Sequence, residues 1–298
     1  MKPTGCETAL DDDDMAFEMQ LFAPMRCRLR LVIAAIVILS ASAVMADFSD
    51  DFRTVNEVDR NPAIRVRETI EVHSLDGSLT PAQLDDFADL AEKGADDIAR
   101  FTGVAPRKQR ILIYLSPRID ISHTYPRYPG SLHHEARVFI DSERVELHAA
   151  PYLHELVHAV VGDGGAMWLE EGFASWVASS VAMTYGGYYA PVLSQDNTRV
   201  DSQARDVLER ARGAAEAAVW FDSDSPDLSQ RDRRSFYILS HSFTKYLANT
   251  LGTSRLVRIH RANNIHALEL ISGVSIDEWR TRWMASLGES QGRVAAGR

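Results

Sequence analysis

The chain has 298 residues, of which 45% are hydrophobic and 25% are charged, a balance typical of a globular protein with a substantial core rather than a disordered or fibrous one. This length favours one medium-sized domain or two closely packed halves. The formal charge of -10 and the pI of about 5.5 provide no positive field for phosphate backbones, so nucleic acid is not an expected partner.

The N-terminal region contains the pattern of a secretory signal peptide. Three arginines precede the unbroken apolar run Leu31–Leu39, and small residues at 41–46 follow it. The apolar stretch ending at Ala46 is shorter than the ~18–20 residues that a stable membrane-spanning helix needs. We therefore expect residues 25–46 to be a signal peptide, and the protein to be exported to the periplasm or secreted. A retained signal anchor, which would tether the protein to a membrane, is the alternative.

Residues 1–24 precede this signal and include a run of four aspartates, whereas a signal peptide begins with positive charge. We expect translation to start at Met25, and a genuine N-terminal extension is the alternative. Both cysteines, Cys6 and Cys27, lie before the expected cleavage site. The mature domain, residues 47–298, would therefore contain neither a free thiol nor a disulfide.

The first part of the mature domain is predicted to mix strands and one long helix. Apolar and polar residues alternate across residues 64–72 as in a half-buried strand. A helix is predicted to begin with Thr80 as N-cap and Pro81 in its first turn, and to end near Gly103. The remaining predictions for this half are a buried strand, a long polar loop and a further strand, at residues 111–115, 116–133 and 137–140.

The clearest chemical pattern is the H-E-x-x-H segment from His154 to His158, which is preceded by Pro151 and followed by Gly162. Residues four apart share one face of a helix, so both imidazoles can reach one metal ion. Glu155 would then lie beside the open coordination position. Two nitrogens alone do not hold zinc, because a catalytic site uses three protein ligands and a water.

A candidate for the third ligand follows in the segment W-L-E-E-G-F-A at residues 168–174, which is predicted to open a helix running to about Met183. H-E-L-V-H followed by this segment resembles the glutamate zincins, the superfamily of the thermolysin-like and M1-type peptidases. The resemblance implies that Glu171, directly before Gly-Phe-Ala, is the third ligand, with Glu170 as the nearest competitor. The spacing from His158 is shorter than in those two groups and closer to small peptidase MA-like proteins.

A second resemblance lies further along the chain. The segment 236–247 is similar to the helix that carries the transition-state tyrosine in the M1-type enzymes, which implies that Tyr237 donates to the developing oxyanion. An amphipathic core tyrosine with a bonded hydroxyl is the alternative. His241 lies one helical turn away, as a further donor or as a structural residue. His260 and His266 lie in a basic amphipathic stretch and are expected at the surface or at the boundary of the core.

The resemblance implies an α+β, zincin-like catalytic domain that has a small mixed sheet in its N-terminal half, a mainly helical C-terminal half and Zn2+ between them. His154, His158 and Glu171 would hold the metal, and Glu155 would be the general base in the hydrolysis of peptide bonds, most simply as an endopeptidase. A closed structural zinc site is disfavoured, because such sites usually have four protein ligands, often cysteines.

The implied substrate is a peptide or protein, and the strand at 137–140 is predicted to be the edge along which an extended peptide lies. Three alternatives remain open at this point. A zincin-fold binding module with weak catalysis is disfavoured by the intact Glu155. An aminopeptidase is disfavoured by the lack of an exopeptidase motif upstream of the histidines. The third alternative is a membrane-tethered protease with a dedicated target.

Overall fold

A five-stranded mixed sheet in the N-terminal half and a mainly helical C-terminal half form an α+β fold. The computed structural model describes residues 63–75, 77–105, 109–119, 122–125, 136–146, 151–162, 165–186, 189, 191–210, 230–264 and 266–295, all within the unit Val58–Arg298. The expected signal peptide, the extension before it and both cysteines lie outside the described residues. In the described part, no helix combines the length and the apolar character needed to cross a membrane.

The sheet has the strand order β1-β2-β3-β5-β4, with parallel pairing at its centre and one antiparallel strand at each edge. The strands are Ala63–Val66, Ile70–Ser74, Ile111–Leu115, His123–Tyr125 and Arg137–Ile140, numbered β1 to β5 in chain order. The central strands are rich in isoleucine and valine, which suits strands that are buried on both faces.

Side chains of the sheet form rungs that alternate between its two faces. One rung joins Val72, Ile113, Val138 and Thr124 across β2, β3, β5 and β4, and all four side chains are buried. The next rung is aromatic, with ring centroids 5.0, 5.3 and 4.9 Å apart along the series His73, Tyr114, Phe139 and His123. The register of β4 thus places Thr124 on the same face as the apolar rung.

The prediction of a single strand across residues 64–72 was wrong, because the chain reverses direction within it. The amide of Arg67 donates to the carbonyl of Ile70, and β1 runs antiparallel to β2. The apolar residues before the reversal, Ile64 and Val66, and those after it, Ile70 and Val72, share one phase although residues 67–69 are all polar, and no glycine or proline marks the turn. Periodicity alone therefore could not separate the two strands.

The prediction of a polar loop across residues 116–133 missed strand β4, and this omission changes which strand forms the edge of the sheet. Strand β5 lies between β3 and β4, so both of its sides are already hydrogen-bonded. The prediction that an extended peptide adds along residues 137–140 was therefore wrong. Among the described strands, the edge next to β5 is formed by β4, whose sequence His-Thr-Tyr does not stand out from the polar residues around it.

Nine helices are found among the described residues. They are Pro81–Thr102, Ser142–Glu146, Tyr152–Val161, Met167–Tyr185, Pro191–Arg210, Gln230–Leu251, Thr253–Arg261, Ala267–Ser272 and Ile276–Ala295, numbered α1 to α9 in chain order.

The long helix α1 begins and ends where the sequence predicts. Thr80 is its N-cap and forms a capping box with Gln83, Pro81 occupies the first turn, and Gly103 ends the helix with a φ of 68°. A Cβ at Gly94 would lie only 2.9 Å from the side chain of Leu153. Glycine at this position therefore lets α1 pack closely against α3.

Helix α4 lies at the centre of the helical half and is buried around most of its circumference, as expected for a helix that is apolar on all faces. It packs most extensively against α6. A Cβ at Gly172 would lie 2.4 Å from both the carbonyl oxygen of Ser240 and the hydroxyl oxygen of Thr244. The absence of a side chain at Gly172 thus sets the closest approach of α4 and α6.

The prediction that His260 lies at the surface or boundary was wrong. Its side chain is 1% exposed and stacks on Phe173, with ring centroids 4.1 Å apart, and burial lowers the pKa of His260 to about 3. The helix α7 that carries it does have a basic outer face, but His260 occurs on the apolar side with Leu256 and Ile259. His266, in contrast, is exposed as predicted.

We expect Gly172→Ala to destabilise the fold, because the new methyl group would meet backbone and side-chain atoms of α6. Overpacking of this kind costs about 1–3 kcal/mol, which corresponds to a fall of roughly 2–10 °C in the thermal unfolding midpoint. The control is Gly288→Ala in α9, where a Cβ meets nothing within 4 Å, so better helix propensity should give about 0.5–1 kcal/mol of stabilisation. Equal effects of the two substitutions on the midpoint would contradict this account of the α4–α6 contact.

Candidate metal centre

Helix α3 holds the H-E-x-x-H segment in a fixed position between the sheet and the other helices. It begins after Pro151 and ends at Gly162, as predicted, and nine of its ten residues are buried. The partly exposed residue is His154. The apolar positions of α3 fix the helix against the core, so the two imidazoles project from a rigid element.

Helix α4 supplies the glutamates. The chain enters α4 through Gly165, whose φ is 77° and whose Cβ position would lie 2.3 Å from the backbone nitrogen of Asn264. Both the backbone conformation and the lack of space require glycine here. The short connection turns the chain so that Glu171, in the second turn of α4, faces the histidines of α3.

Three of the predicted residues converge on one point. The Nε2 atoms of His154 and His158 are 3.2 Å apart, and the Oε2 atom of Glu171 lies 3.0 Å from the first and 3.7 Å from the second. Among the described residues, these three form the group whose ligand atoms could hold a metal ion. The structure thus brings together all three residues that the sequence nominated as ligands.

The separations fit a small tetrahedral ion. Zinc binds histidine nitrogen and carboxylate oxygen at about 2.0–2.2 Å, so ligand atoms at the corners of a tetrahedron lie roughly 3.3–3.5 Å apart. The three observed distances bracket this value. Two imidazoles and one carboxylate are also the donor set of known catalytic zinc sites. The residues present therefore fit Zn2+.

The electrostatics of the group favour an ionised carboxylate. Glu171 is 2% exposed, and burial alone would raise its pKa. The hydrogen bond from His154 and the close approach of the His158 ring, together with the charges of these two rings, outweigh burial and hold the pKa of Glu171 well below its usual range. A buried carboxylate needs such compensation, because an unpaired buried charge is strongly destabilising.

Each imidazole also has an oxygen atom near its far side. The Nδ1 of His154 lies within hydrogen-bond distance, 3.3 Å, of the hydroxyl oxygen of Ser175. The Nδ1 of His158 lies 3.8 Å from Oε1 of Glu170, which is close enough for an electrostatic interaction but too far for a hydrogen bond. A hydrogen bond such as that between Ser175 and His154 fixes the tautomer and the orientation of a metal-binding histidine. The two adjacent glutamates thus occupy different positions: Glu171 lies within the converging group, and Glu170 lies behind His158.

Glu155 is held apart from the three converging residues. Its side chain is buried, and the hydroxyl oxygen of Thr124 lies 2.9 Å from both its Oε2 and its backbone carbonyl oxygen. The single proton of that hydroxyl can be donated to only one of these oxygens at a time. Thr124 belongs to the edge strand β4, so the edge of the sheet and helix α3 are joined at the predicted general base.

A cavity of about 630 Å³ opens on this group. His154 and Glu155 line it from α3, and Tyr237 and His241 line it from α6. The ring of Tyr237 meets that of His154 edge-on, with centroids 6.2 Å apart. His241 is buried, and its Nε2 has no hydrogen-bond partner in the described part of the chain. Desolvation, assisted by the charge of Lys245, lowers the pKa of His241 to about 3, so its ring is neutral at pH 7.

Sequence reasoning did not identify Thr124 and Ser175. Ser175 follows Glu171 by four residues on one helix, a spacing that would have placed it on the same face. Thr124 gives no such local signal, because its position depends on the pairing of β4 with β5.

Comparison of the chain with models of protein families and with curated proteins gives no match.

We expect Glu171→Ala to weaken zinc binding by more than the ~10–100-fold that is typical when a hydrogen-bonded outer partner is lost, whereas Glu170→Ala should cost no more than that, because Glu170 lies 3.8 Å from His158 without a hydrogen bond to its Nδ1. The two residues are adjacent on one helix, so each variant serves as the control for the other. The zinc dissociation constants can be measured by competition with a chromogenic chelator, with circular dichroism to verify folding. The reverse order of the two effects would show that Glu170, not Glu171, binds the metal.

Proposed function

We propose that the protein is an exported zinc-dependent metallopeptidase that hydrolyses peptide bonds. The observation that carries the proposal is the convergence of His154, His158 and Glu171, together with a cavity that is lined by both His154 and Glu155. The resemblance of the two motifs to the glutamate zincins supports the same reading, in which the α+β domain would be zincin-like. The cavity is large enough to admit several residues of an extended chain.

His154, His158 and Glu171 would hold Zn2+. When bound, the ion would supply a Lewis acid that polarises the scissile carbonyl and lowers the pKa of a water molecule towards ~7. Rigid placement of the three side chains on α3 and α4 gives the site a fixed geometry before substrate arrives.

Glu155 would act as the general base and then as the general acid. It takes one proton from the water molecule as the water oxygen bonds to the carbonyl carbon. The carbon–nitrogen bond then breaks, and Glu155 delivers the proton to the leaving nitrogen. Thr124 would position this carboxylate through the hydrogen bond to Oε2, which leaves the other carboxylate oxygen to face the reacting atoms.

Tyr237 would donate a hydrogen bond to the oxyanion that forms on the carbonyl oxygen. Its ring contacts His154, and its side chain lines the cavity. His241, one turn further along α6 and also in the cavity wall, is the alternative donor.

An extended substrate would lie along β4, the strand at the free edge of the sheet nearest to Glu155. A substrate held there would have its backbone close to the general base. This arrangement favours an endopeptidase, because a peptide that pairs with an edge strand extends on both sides of the bond that is cleaved. Signal-peptide cleavage would release the enzyme into the exported compartment, and a retained anchor would instead tether it to the membrane.

We expect Glu155→Gln to retain about one equivalent of zinc but to lose hydrolysis, because the side chain supplies the base and no metal bond. The amide preserves the shape of the residue and can still accept from Thr124. Metal content and cleavage of a peptide library by the purified protein measure the two properties separately. Wild-type protein that binds zinc in this site yet cleaves no peptide or protein would favour the binding-module alternative.

We expect Tyr237→Phe to lower kcat and kcat/KM together by ~10²–10³-fold, because an oxyanion donor acts only in the transition state. KM and zinc content should stay nearly unchanged. A structural tyrosine would behave differently, since loss of its hydroxyl would mainly reduce stability, by about 1 kcal/mol. Near-normal turnover by a folded Tyr237→Phe protein would refute the role, and His241→Ala would then test the other donor.

A further inference from the structure

Helix α6 presents a second chemical feature to the same cavity, beyond Tyr237 and His241. Arg233 lies four residues before Tyr237, and Arg234 lies four residues before Ile238, so the two arginines share the cavity-lining face of the helix. Both are exposed to solvent and both line the cavity. The backbone positions of the two arginines therefore lie about one helical turn, ~4.5–6 Å along the axis, from that of the tyrosine that contacts His154.

Neither arginine forms an ion pair with another described residue. Elsewhere in the described structure arginines are often paired, as Arg65 and Arg67 are with Asp85. The chain as a whole carries a charge of -10, so cations in a cavity wall that have no ion-pair partner among the described residues contrast with the negative net charge of the protein.

The other charged groups of the cavity do not neutralise the pair. Glu155 is engaged by Thr124, and Asp196 forms no ion pair with Arg233 or Arg234 among the described residues. Desolvation raises the pKa of Asp196, against a smaller opposing effect of Arg199. A third cation, Arg144, enters the cavity from α2 and lies 3.7 Å from Asp141. Outside the reacting centre, positive charge therefore predominates.

We propose that Arg233 and Arg234 form a carboxylate-binding subsite that selects peptides with negative charge within about three residues of the cleaved bond. Guanidinium groups match the planar geometry of a carboxylate, and a cleft lined by one sign of charge attracts the opposite sign. The carboxylate has two possible sources, an acidic side chain or the free C-terminus of a peptide. The inference rests on the proposed peptidase function and names the substrate class of that site.

The test uses a peptide that the full-length protein cleaves, with one residue on either side of the bond varied as Glu, Gln or Lys. The C-terminus is amidated in one series and free in the other, which separates the two sources. Exposed charge pairs contribute modestly, so we expect kcat/KM for the Glu peptide, or for the free carboxylate, to exceed that of its neutral counterpart by about 2- to 5-fold at low ionic strength. The preference should shrink in ~0.5 M salt.

The variants assign the preference to the two arginines. In the double variant Arg233→Gln/Arg234→Gln the ratio of Glu to Gln peptide should fall to near one, and in Arg233→Glu/Arg234→Glu the Lys peptide should become the better substrate. The matched control is Arg255→Gln/Arg258→Gln, which removes the same charge from the exposed face of α7 outside the cavity and should keep the wild-type ratio. Zinc content and the unfolding midpoint show that the site is intact.

Failure of the subsite and failure of the peptidase function give different results. A wild-type ratio near one, a ratio unchanged in Arg233→Gln/Arg234→Gln, or an equal loss in the α7 control would overturn the subsite while cleavage persists. If no peptide is cleaved, fluorescence anisotropy of labelled peptides with the Glu155→Gln protein still measures binding. Preferential binding of the acidic peptide that disappears in the arginine variant would then support the subsite and refute the peptidase. Equal binding of all peptides would refute both.

Discussion

The burial of one carboxylate, Glu171, is the constraint on which the arrangement of the helical half depends. A negative charge removed from water is costly, and here the compensation comes from two imidazoles 3.0 and 3.7 Å away on a different helix. Helices α3 and α4 must therefore keep a fixed relation to each other. Gly165 fixes the connection between them, and Gly172, directly after the carboxylate, lets α6 approach from the other side. The same close packing that seals Glu171 from solvent brings Tyr237 and His241 to the cavity.

The site combines a sealed region and an open region. His158 and Glu171 are almost wholly buried, whereas His154 is partly exposed and lines the cavity with Glu155. This arrangement holds the three converging ligand atoms rigidly and leaves the His154 side of the group accessible from the cavity. The arginines of α6 and α2 that line the cavity are exposed, whereas the carboxylate of Glu155 in the same lining is buried. A molecule in the cavity could therefore contact both the cations and the candidate base.

The sequence was most informative where contacts are local. Helix α1 has the predicted cap and end, and the spacing of His154 and His158 on one helix follows from helical geometry alone. The resemblance added Glu171, which no local rule would have chosen over Glu170. Long-range pairing was not predictable: β4 lies in a polar stretch without a strand pattern, and its omission made β5 appear to be the edge. His260 illustrates the same limit, because its burial depends on Phe173 from another helix.

The register of β4 connects two parts of the molecule that are distant in the chain. Neighbouring residues of a strand point to opposite faces, so Thr124 reaches Glu155 only while it remains opposite Val138, with His123 and Tyr125 on the other side. A shift of this three-residue strand by a single position would replace the hydroxyl at the base with an aromatic ring. Any ligand that paired with the free edge would hold the strand in place and so hold the hydroxyl against the carboxylate. Binding of a ligand along β4 and the orientation of the Glu155 carboxylate would then be coupled. An insertion or deletion in β4 would disturb the site more than most substitutions there.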